Sequence, residues 1–320
     1  VSMDLLTVSS NVVLGTIVGA AHRAGIISAL AFEEGLNVKE WAASANLSPV
    51  HLTRMLQFLS ANQYAEYDSK TERWKLGKML EPVHVDGDFG YLNWVAHMTS
   101  SDCLTSLAGV ASYFEQSPYE EHHGASFWEV AGRSEVRRSV FNSAMNSTTE
   151  MVVDQIAGDI LELSPDSLCD IGGCSFILAD AVRRLSPSTK VSVVDRFDGI
   201  SDHDLPVGAL RADLFTDVLP KSDIYVLKDV LHDWNDCSAE LALANIARSA
   251  PVGSKIVITE IMVGDTALDP IVRGGDMYLM AMTDGGRKRT PLDYEKIGHS
   301  VGLRFKSLTP GLYSTLTLEA

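Results

Sequence analysis

The residues able to do chemistry cluster in the second half of the sequence. The run SLCDIGG carries Asp170 and the pair Gly172-Gly173, and Cys174-Ser175-Phe176 leads into a helical segment. A glycine turn at such a place lets the backbone approach a ligand closely. The run KVSVVD ends in Asp195, and a carboxylate at a strand end can accept hydrogen bonds from ribose hydroxyls. Asp213-Leu214-Phe215 lies in a loop ahead of another apolar run, which ends near Lys228 and is followed by His232-Asp233-Trp234. KIVITE ends in Glu260, and Gly285-Gly286-Arg287-Lys288-Arg289-Thr290 comes later.

The elements that must position these groups are legible from the pattern around them. After Pro165, short β-branched runs alternate with helical segments such as ILADAVRRL and AELALANIARSA. That alternation predicts a parallel sheet with helices on both faces, whose ligands sit at the carboxyl ends of the strands. The first third reads as helices with short turns. Val38–Ala45 is one short helix, Ser48-Pro49 supplies an N-cap and a proline at N1, and a second helix runs through Ser60. AEYDSKTERWKLG then reads as two strands around Asp68-Ser69-Lys70, which completes a winged-helix pattern. Residues 88–158 read as helical and rich in aromatic and methionine side chains, among them Trp94, Tyr113, Phe114 and Met145. Most of these belong to a core, and some line a pocket for a flat apolar molecule. Glu120-Glu121-His122-His123, between Pro118 and Gly124, reads as a solvated loop rather than a metal cluster. The acidic stretch of Asp198, Asp202, His203 and Asp204 reads as solvent-facing.

Composition narrows the partners. The chain has 320 residues, which predicts about two domains, and an ordinary globular balance of 46% hydrophobic and 21% charged residues. Twenty-six basic against 42 acidic residues give a net charge of −16, so nucleic acid and membrane surfaces are poor partners. The winged helix offers only His51 and Arg54 on its second helix, and Glu66, Asp68 and Glu72 offset the basic residues of its wing. It therefore reads as a dimerisation module rather than a DNA reader. The apolar stretch NVVLGTIVGAA is too short to span a bilayer and reads as a core or interface helix. The four cysteines have no CxxC spacing, so reduced thiols and a cytoplasmic location are expected, with no bound metal. Val1-Ser2 reads as an addition ahead of a native start at Met3.

On residues alone, the glycine turn and the strand-end acid fit a nicotinamide enzyme or a methyltransferase. The ordered series GG, Asp195, Asp213-Leu214-Phe215, Lys228, His232-Asp233-Trp234, Glu260 and GG-x-x-RT resembles the S-adenosylmethionine-dependent small-molecule O-methyltransferases of the plant caffeate and bacterial natural-product type. The resemblance runs over most of the chain. It implies an α/β fold: a winged-helix dimerisation domain (1–87), a helical linker covering the pocket (88–158) and a Rossmann-like class I methyltransferase domain (159–320). It implies that Gly172 and Gly173 approach the methionine moiety with Asp170 beside them. Asp195 would bind the ribose, Asp213 and Leu214 would flank the adenine, and Lys228 would lie near the cofactor. His232 matches the general base for a substrate hydroxyl, and Glu260 the carboxylate that positions it. Met145 matches a substrate-lining methionine, to which Trp94, Met277, Met280 and Met282 could add. The expected substrate is a hydroxylated aromatic or polyketide-like secondary metabolite, and the expected assembly a homodimer. A neutral imidazole helps to ionise a phenol, and a sulfonium supplies the electrophile, so no metal is required.

Two positions depart from that family's pattern. Phe176 stands where the family keeps a glycine, and its ring either protrudes toward the methionine end of the cofactor or turns back into the helix–sheet interface. Lys288 replaces a glutamate of GG-x-E-RT, and either lowers the histidine pKa or holds an anionic substrate group. These departures open a second reading, a repurposed relative catalysing cyclisation, pericyclic or hydroxylation chemistry. A ligand-responsive regulator is a third, against which the acidic charge argues.

Overall fold

The structure is a computed structural model that describes residues 3–81, 90–112, 116–198, 200–264 and 270–320. Tyr113, Phe114 and the expected domain boundary between 87 and 88 lie outside the described residues. The chain divides into two compact units, residues 1–101 with 139–148, and residues 102–138 with 149–320.

The first unit opens with α1 (Met3–Arg23), α2 (Ile26–Leu30), α3 (Val38–Ser44) and α4 (Pro49–Ala61), then the hairpin of β1 (Ala65–Asp68) and β2 (Arg73–Leu76), then α5 (Gly90–Met98). The helix starts follow from capping. The Asn37 side chain accepts from the Lys39 and Glu40 amides, and Ser48 from the His51 amide with Pro49 at N1. Ile26, Ile27, Leu30, Leu52, Leu56 and Trp74 fill the core. Helix, turn, helix and hairpin thus occur where the sequence places them, in the element order of a winged helix.

The remaining helices before the sheet are α6 (Ser101–Gly109), α7 (Pro118–His123), α8 (Phe127–Arg133), α9 (Glu135–Glu150) and α10 (Val153–Leu161). Residues 120–123 are therefore helical rather than the loop that the flanking Pro118 and Gly124 suggest, although Glu121 and His122 are solvent-exposed as expected. Ser117 caps α7, Gly124 ends it at φ +68°, and Tyr119 is fully buried. The Pro–Gly pair marks helix ends here, not a loop.

The sheet of the second unit follows as β3 (Ser167–Ile171), α11 (Ile177–Leu185), β4 (Lys190–Asp195), β5 (Ala209–Arg211), β6 (Ile224–Lys228), α12 (Asp236–Ser249), β7 (Lys255–Glu260), α13 (Pro270–Met282), α14 (Pro291–Ser300), β8 (Arg304–Thr309) and β9 (Ser314–Glu319). The strand order is β5-β4-β3-β6-β7-β9-β8, parallel through β7, with β9 antiparallel between β7 and β8. Alternate residues serve opposite faces. Tyr225, Leu227, Ile256 and Ile258 pack with Leu243 and Ile246 of α12, while Val226 and Val257 pack with Ile156, Ile160 and Val182. Helices on both faces explain why the central strands read as unbroken apolar runs. The strand order reverses between β3 and β6, and sheets of this class bind ligands at that point.

Candidate active site

Four strand ends converge along one edge of this sheet. β3 runs out into Gly172 and Gly173. Gly172 holds φ +77°, a left-handed conformation, and its amide donates to the Val194 carbonyl at 2.8 Å. A side chain at Gly173 would collide with the Asp170 carboxyl beneath it, so this turn admits only glycine. Burial pushes the Asp170 carboxyl up to about 7, and the neighbouring Asp195 adds to that. Asp195 ends β4, and burial raises it too, although one of its oxygens accepts from the Phe197 amide at 3.1 Å. Asp213 closes its own turn, with Oδ1 accepting from the Phe215 amide at 2.8 Å, and Leu214 packs against the core. The local cap and the ligand role remain compatible for Asp195 and Asp213, because a carboxylate has lone pairs beyond those one amide uses.

Of the two directions open to Phe176, the ring takes the one into the helix–sheet interface. It is 8% exposed and packs with Ala179, Val193 and Phe197, stacking on the Phe197 ring at 6.2 Å. Its backbone keeps the glycine-like conformation, φ +62°, which costs a side-chain-bearing residue about 1–2 kcal/mol.

The other half of the site is the short turn after β6. Lys228 reaches Asp229 at 2.5 Å and lies over the Tyr313 ring at 4.7 Å, and the Tyr313 hydroxyl donates to Asp229 at 2.9 Å. Glu260, 1% exposed at the end of β7, accepts from the backbone amides of Leu231 and His232 at 3.0 and 3.2 Å, and from the Tyr294 hydroxyl. It fixes the turn through its backbone, and its other oxygen lies 3.5 Å from His232 Nδ1. Lys288 Nζ lies 3.1 Å from that same Nδ1. Burial and Lys288 both push the imidazole toward neutrality, but Glu260 and Asp233 outweigh them and its pKa lies above the ordinary histidine value. Burial raises Asp233 to about 6, against the pull of His232. Burial also opposes ionisation of Asp229 and Glu260, but the cations around them hold both below the usual carboxylate range.

The segment Gly285–Thr290 braces this turn. Arg287 N donates to the His232 carbonyl at 2.8 Å, and a side chain at Gly286 would strike that carbonyl. Arg289 is fully buried and donates to the Leu231 and Trp234 carbonyls at 2.8 and 2.7 Å and to Asp236 at 2.7 Å. Trp234 is packing, stacked on Trp128 at 6.2 Å with Phe215 edge-on at 4.7 Å.

His232, Glu260 and Lys288 are thus brought together, and Gly172, Gly173, Asp170 and Asp195 form the neighbouring turn. On α13, Met277 is exposed, Met280 half-buried and Met282 in the core. Met145 and Trp94 are half-buried members of the first unit. Sequence reasoning missed Asp229, Asp233, Tyr294, Tyr313 and the clamp made by Arg289. Asp233 and Arg289 stand inside the quoted motifs and could have been found there, whereas the two tyrosines reach the site only through the packing of α14 and β9.

Comparison with known proteins bears on the family and the fold. The O-methyltransferase domain family matches residues 106–304. Cephaeline 6'-O-methyltransferase of Carapichea ipecacuanha is 27% identical over 64% of this chain and 61% of its own length. O-demethylpuromycin-O-methyltransferase of Streptomyces alboniger is 23% identical over 100% of this chain and 86% of its own. The chain spans 61%, 58% and 63% of the first three curated relatives it matches. Mitomycin 7-O-methyltransferase superposes with a TM-score of 0.85 at 18% identity, over 99% of this chain and 96% of its own, a likeness of fold. Among the described residues no helix is long and apolar enough to cross a membrane.

Proposed function

The chain belongs to the O-methyltransferase domain family, and from that premise we propose that it methylates a hydroxyl of an aromatic or polyketide-like secondary metabolite with S-adenosylmethionine as donor. Relatives are named for cephaeline, O-demethylpuromycin and mitomycin. The observation that carries the reading is the shared sheet edge: the glycine turn after β3, the acid ending β4 and the histidine turn after β6 lie on neighbouring strands. The residues present fit the donor. Gly172 and Gly173 form a turn closed to side chains, Asp195 offers a strand-end carboxylate, and the ring of Phe176 is folded into the core. When bound, the donor supplies a sulfonium methyl group as electrophile.

In this reading Gly172 and Gly173, with Asp170 beneath, take the methionine side. Asp195 takes the ribose, Asp213 and Leu214 the adenine, and Lys228 lies near them. His232 meets the acceptor hydroxyl, held by Glu260 and touched by Lys288. Met145, Trp94, Met277 and Met280 are substrate contacts. The chain acts as a cytoplasmic homodimer joined through its N-terminal module, where α1 leaves Leu6, Val8, Val12 and Val13 exposed. Residues 1–87, 88–158 and 159–320 are its dimerisation, linker and catalytic parts. The Lys288 ammonium at His232 favours a second reading, a repurposed enzyme that moves a proton or polarises a carbonyl.

Calorimetry with S-adenosylmethionine and S-adenosylhomocysteine separates the two. Micromolar binding, weakened by about 1–3 kcal/mol in Asp195→Ala and in Asp213→Ala, is the expected result. A wild-type chain that binds neither compound at millimolar concentration sinks the methyl-transfer reading, and unchanged affinity in both variants misplaces the adenosine site.

A further inference from the structure

Lys288 decides which nitrogen of His232 carries hydrogen. A lysine ammonium donates and cannot accept. Its 3.1 Å contact with His232 Nδ1 is therefore a hydrogen bond in which Nδ1 offers its lone pair, and a neutral imidazole so bound carries its hydrogen on Nε2. The carboxylates near Nδ1, Asp229 Oδ1 and Glu260 Oε2, are each 3.5 Å away, beyond a good hydrogen bond. If the imidazole gains a second proton, Nδ1–H turns toward them and Nε2 keeps its own. In both states Nε2 is a donor.

The surroundings hold this arrangement. Lys288 is anchored by its own amide, which donates to Asp276 Oδ1 at 2.7 Å, and its stem runs past Gly275 on α13. Glu260 is committed to two backbone amides and to the Tyr294 hydroxyl of α14. Asp229 Oδ2 is committed to Lys228 and Tyr313, while its buried Oδ1 has no hydrogen-bond partner among the described residues and is open to an Nδ1–H of the protonated ring. Lys288, Asp229 and Glu260 thus crowd Nδ1, while the carboxylate nearest Nε2 is Asp233 Oδ1 at 3.6 Å. Tyr278 of α13, buried and raised well above the ordinary phenol range, brings no negative charge near Asp233. With His232 protonated, the carboxylates of Asp229, Asp233 and Glu260 are matched by Lys228, Lys288 and the imidazolium. An arriving oxygen anion meets no surplus negative charge.

A general base needs a bare nitrogen facing the acceptor, and this site presents N–H. We infer that His232, with Lys288 behind it, is a donor site for an acceptor that arrives already ionised, so the substrate is an acidic phenol or enol of the hydroxyquinone or vinylogous-acid kind. This rests on the methyl-transfer reading. The acceptor oxygen's electron pair forms the new O–C bond as the C–S bond breaks, and that pair leaves on sulfur. No proton moves in the step, and the hydrogen stays on Nε2. Selectivity comes from binding the ionised form, which is the donor's part, and from orientation.

Long-range proton–nitrogen NMR of the full chain, with His232 assigned by its loss in His232→Gln, reads the hydrogen directly and needs no turnover. The expected result is a protonated Nε2 from pH 6 to 9 in the wild type, with the hydrogen moving to Nδ1 in Lys288→Glu as the imidazole becomes neutral. Lys288→Gln guards against a folding defect in the first variant. A bare Nε2 in the wild type at neutral pH overturns the inference. Methyl transfer to nitro- and chlorophenols graded in acidity supplies the kinetic arm. Wild-type kcat/KM should fall about tenfold for each unit by which the acceptor pKa exceeds the pH, and Lys288→Glu should flatten that dependence. Fastest turnover of the least acidic phenol overturns the inference. If calorimetry shows no donor binding, the methyl-transfer reading fails while the nitrogen spectrum still decides the state of His232.

Discussion

The glycine turn after β3 and the histidine turn after β6 lie on adjacent strands, and each meets one residue that departs from the family's pattern, Phe176 within the first and Lys288 from the segment that braces the second. At the first, Phe176 keeps a glycine-like backbone and folds its ring against Phe197, Val193 and Ala179. At the second, Lys288 extends its ammonium to a ring nitrogen of His232. An apolar side chain beside a core can be absorbed by that core, and the ligand-facing backbone is left as it was. A cation on a flexible stem cannot be buried without a partner, and the partner here is the imidazole proposed to meet the substrate. The same kind of departure is therefore absorbed by packing at one turn and, on the proposed function, chemical at the other.

The sharpest way to break this comparison is at the histidine. On the proposed function, His232→Ala should lower turnover by about 10²-fold while leaving donor affinity and the circular-dichroism spectrum unchanged, as expected for loss of the group that orients the acceptor oxygen. Near-wild-type turnover would remove the β6 turn from the chemistry. Next in size is Arg289→Ala. It strands the Leu231 and Trp234 carbonyls, and each buried acceptor left without a donor costs about 1–3 kcal/mol in urea unfolding, while Asp236 is more than half exposed and keeps its ion pair with Arg287. Arg289→Lys should recover less than half of that, because an ammonium cannot span the same acceptors. Full recovery by lysine would show that the fork geometry does not hold the turn.

The two turns also differed in how far the sequence could be read. Gly172, Asp195 and His232 stand at strand ends that hydrophobic runs announce, and the capped helices α3 and α4 start where Asn37 and Ser48 place them. Those are local signals. The direction of the Phe176 ring depended on whether an aromatic partner waited on the sheet, and Phe197 lies beyond the next strand. The Tyr294 and Tyr313 hydroxyls join the site through α14 and through β9, which is inserted antiparallel beside β7. Nothing in their own neighbourhoods in sequence marks them. Glu120–His123 misled for the opposite reason: its flanking residues suit both a loop and a short capped helix, and the buried Tyr119 settled it.

The glycine turn can be tested through its charge. Asp170 lies under Gly173, and burial together with Asp195 raises it to about 7. The folded chain therefore keeps a proton there that the unfolded chain releases near pH 4, so the folded state binds more protons in between. Stability should fall with rising pH across that window, by about 1.4 kcal/mol per pH unit from this one group. Asp170→Asn should remove that component of the slope in thermal or urea unfolding between pH 4 and pH 7. An unchanged slope would mean that Asp170 is ionised in the folded state, and that the β3 turn carries charge as the β6 turn does.

The smallest expected effect bears most directly on the contrast. Phe176→Gly deletes the ring and releases a backbone held at φ +62°. Two terms oppose each other in stability. Removing a buried phenylalanine side chain costs about 3–5 kcal/mol, and relief of the left-handed conformation returns about 1–2 kcal/mol. A net loss of roughly 1–4 kcal/mol follows from these two principles. Phe176→Ala should fare worse than Phe176→Gly by about 1 kcal/mol, because alanine keeps the strain and loses the ring. Neither change touches the face of the turn that Gly172 and Gly173 present, so S-adenosylmethionine affinity in calorimetry should move by less than about twofold, or about 0.4 kcal/mol. A tenfold gain in Phe176→Gly would mean that the ring obstructs the donor in the wild type. Phe176 would then act on the chemistry as Lys288 does, and the contrast between the two turns would disappear.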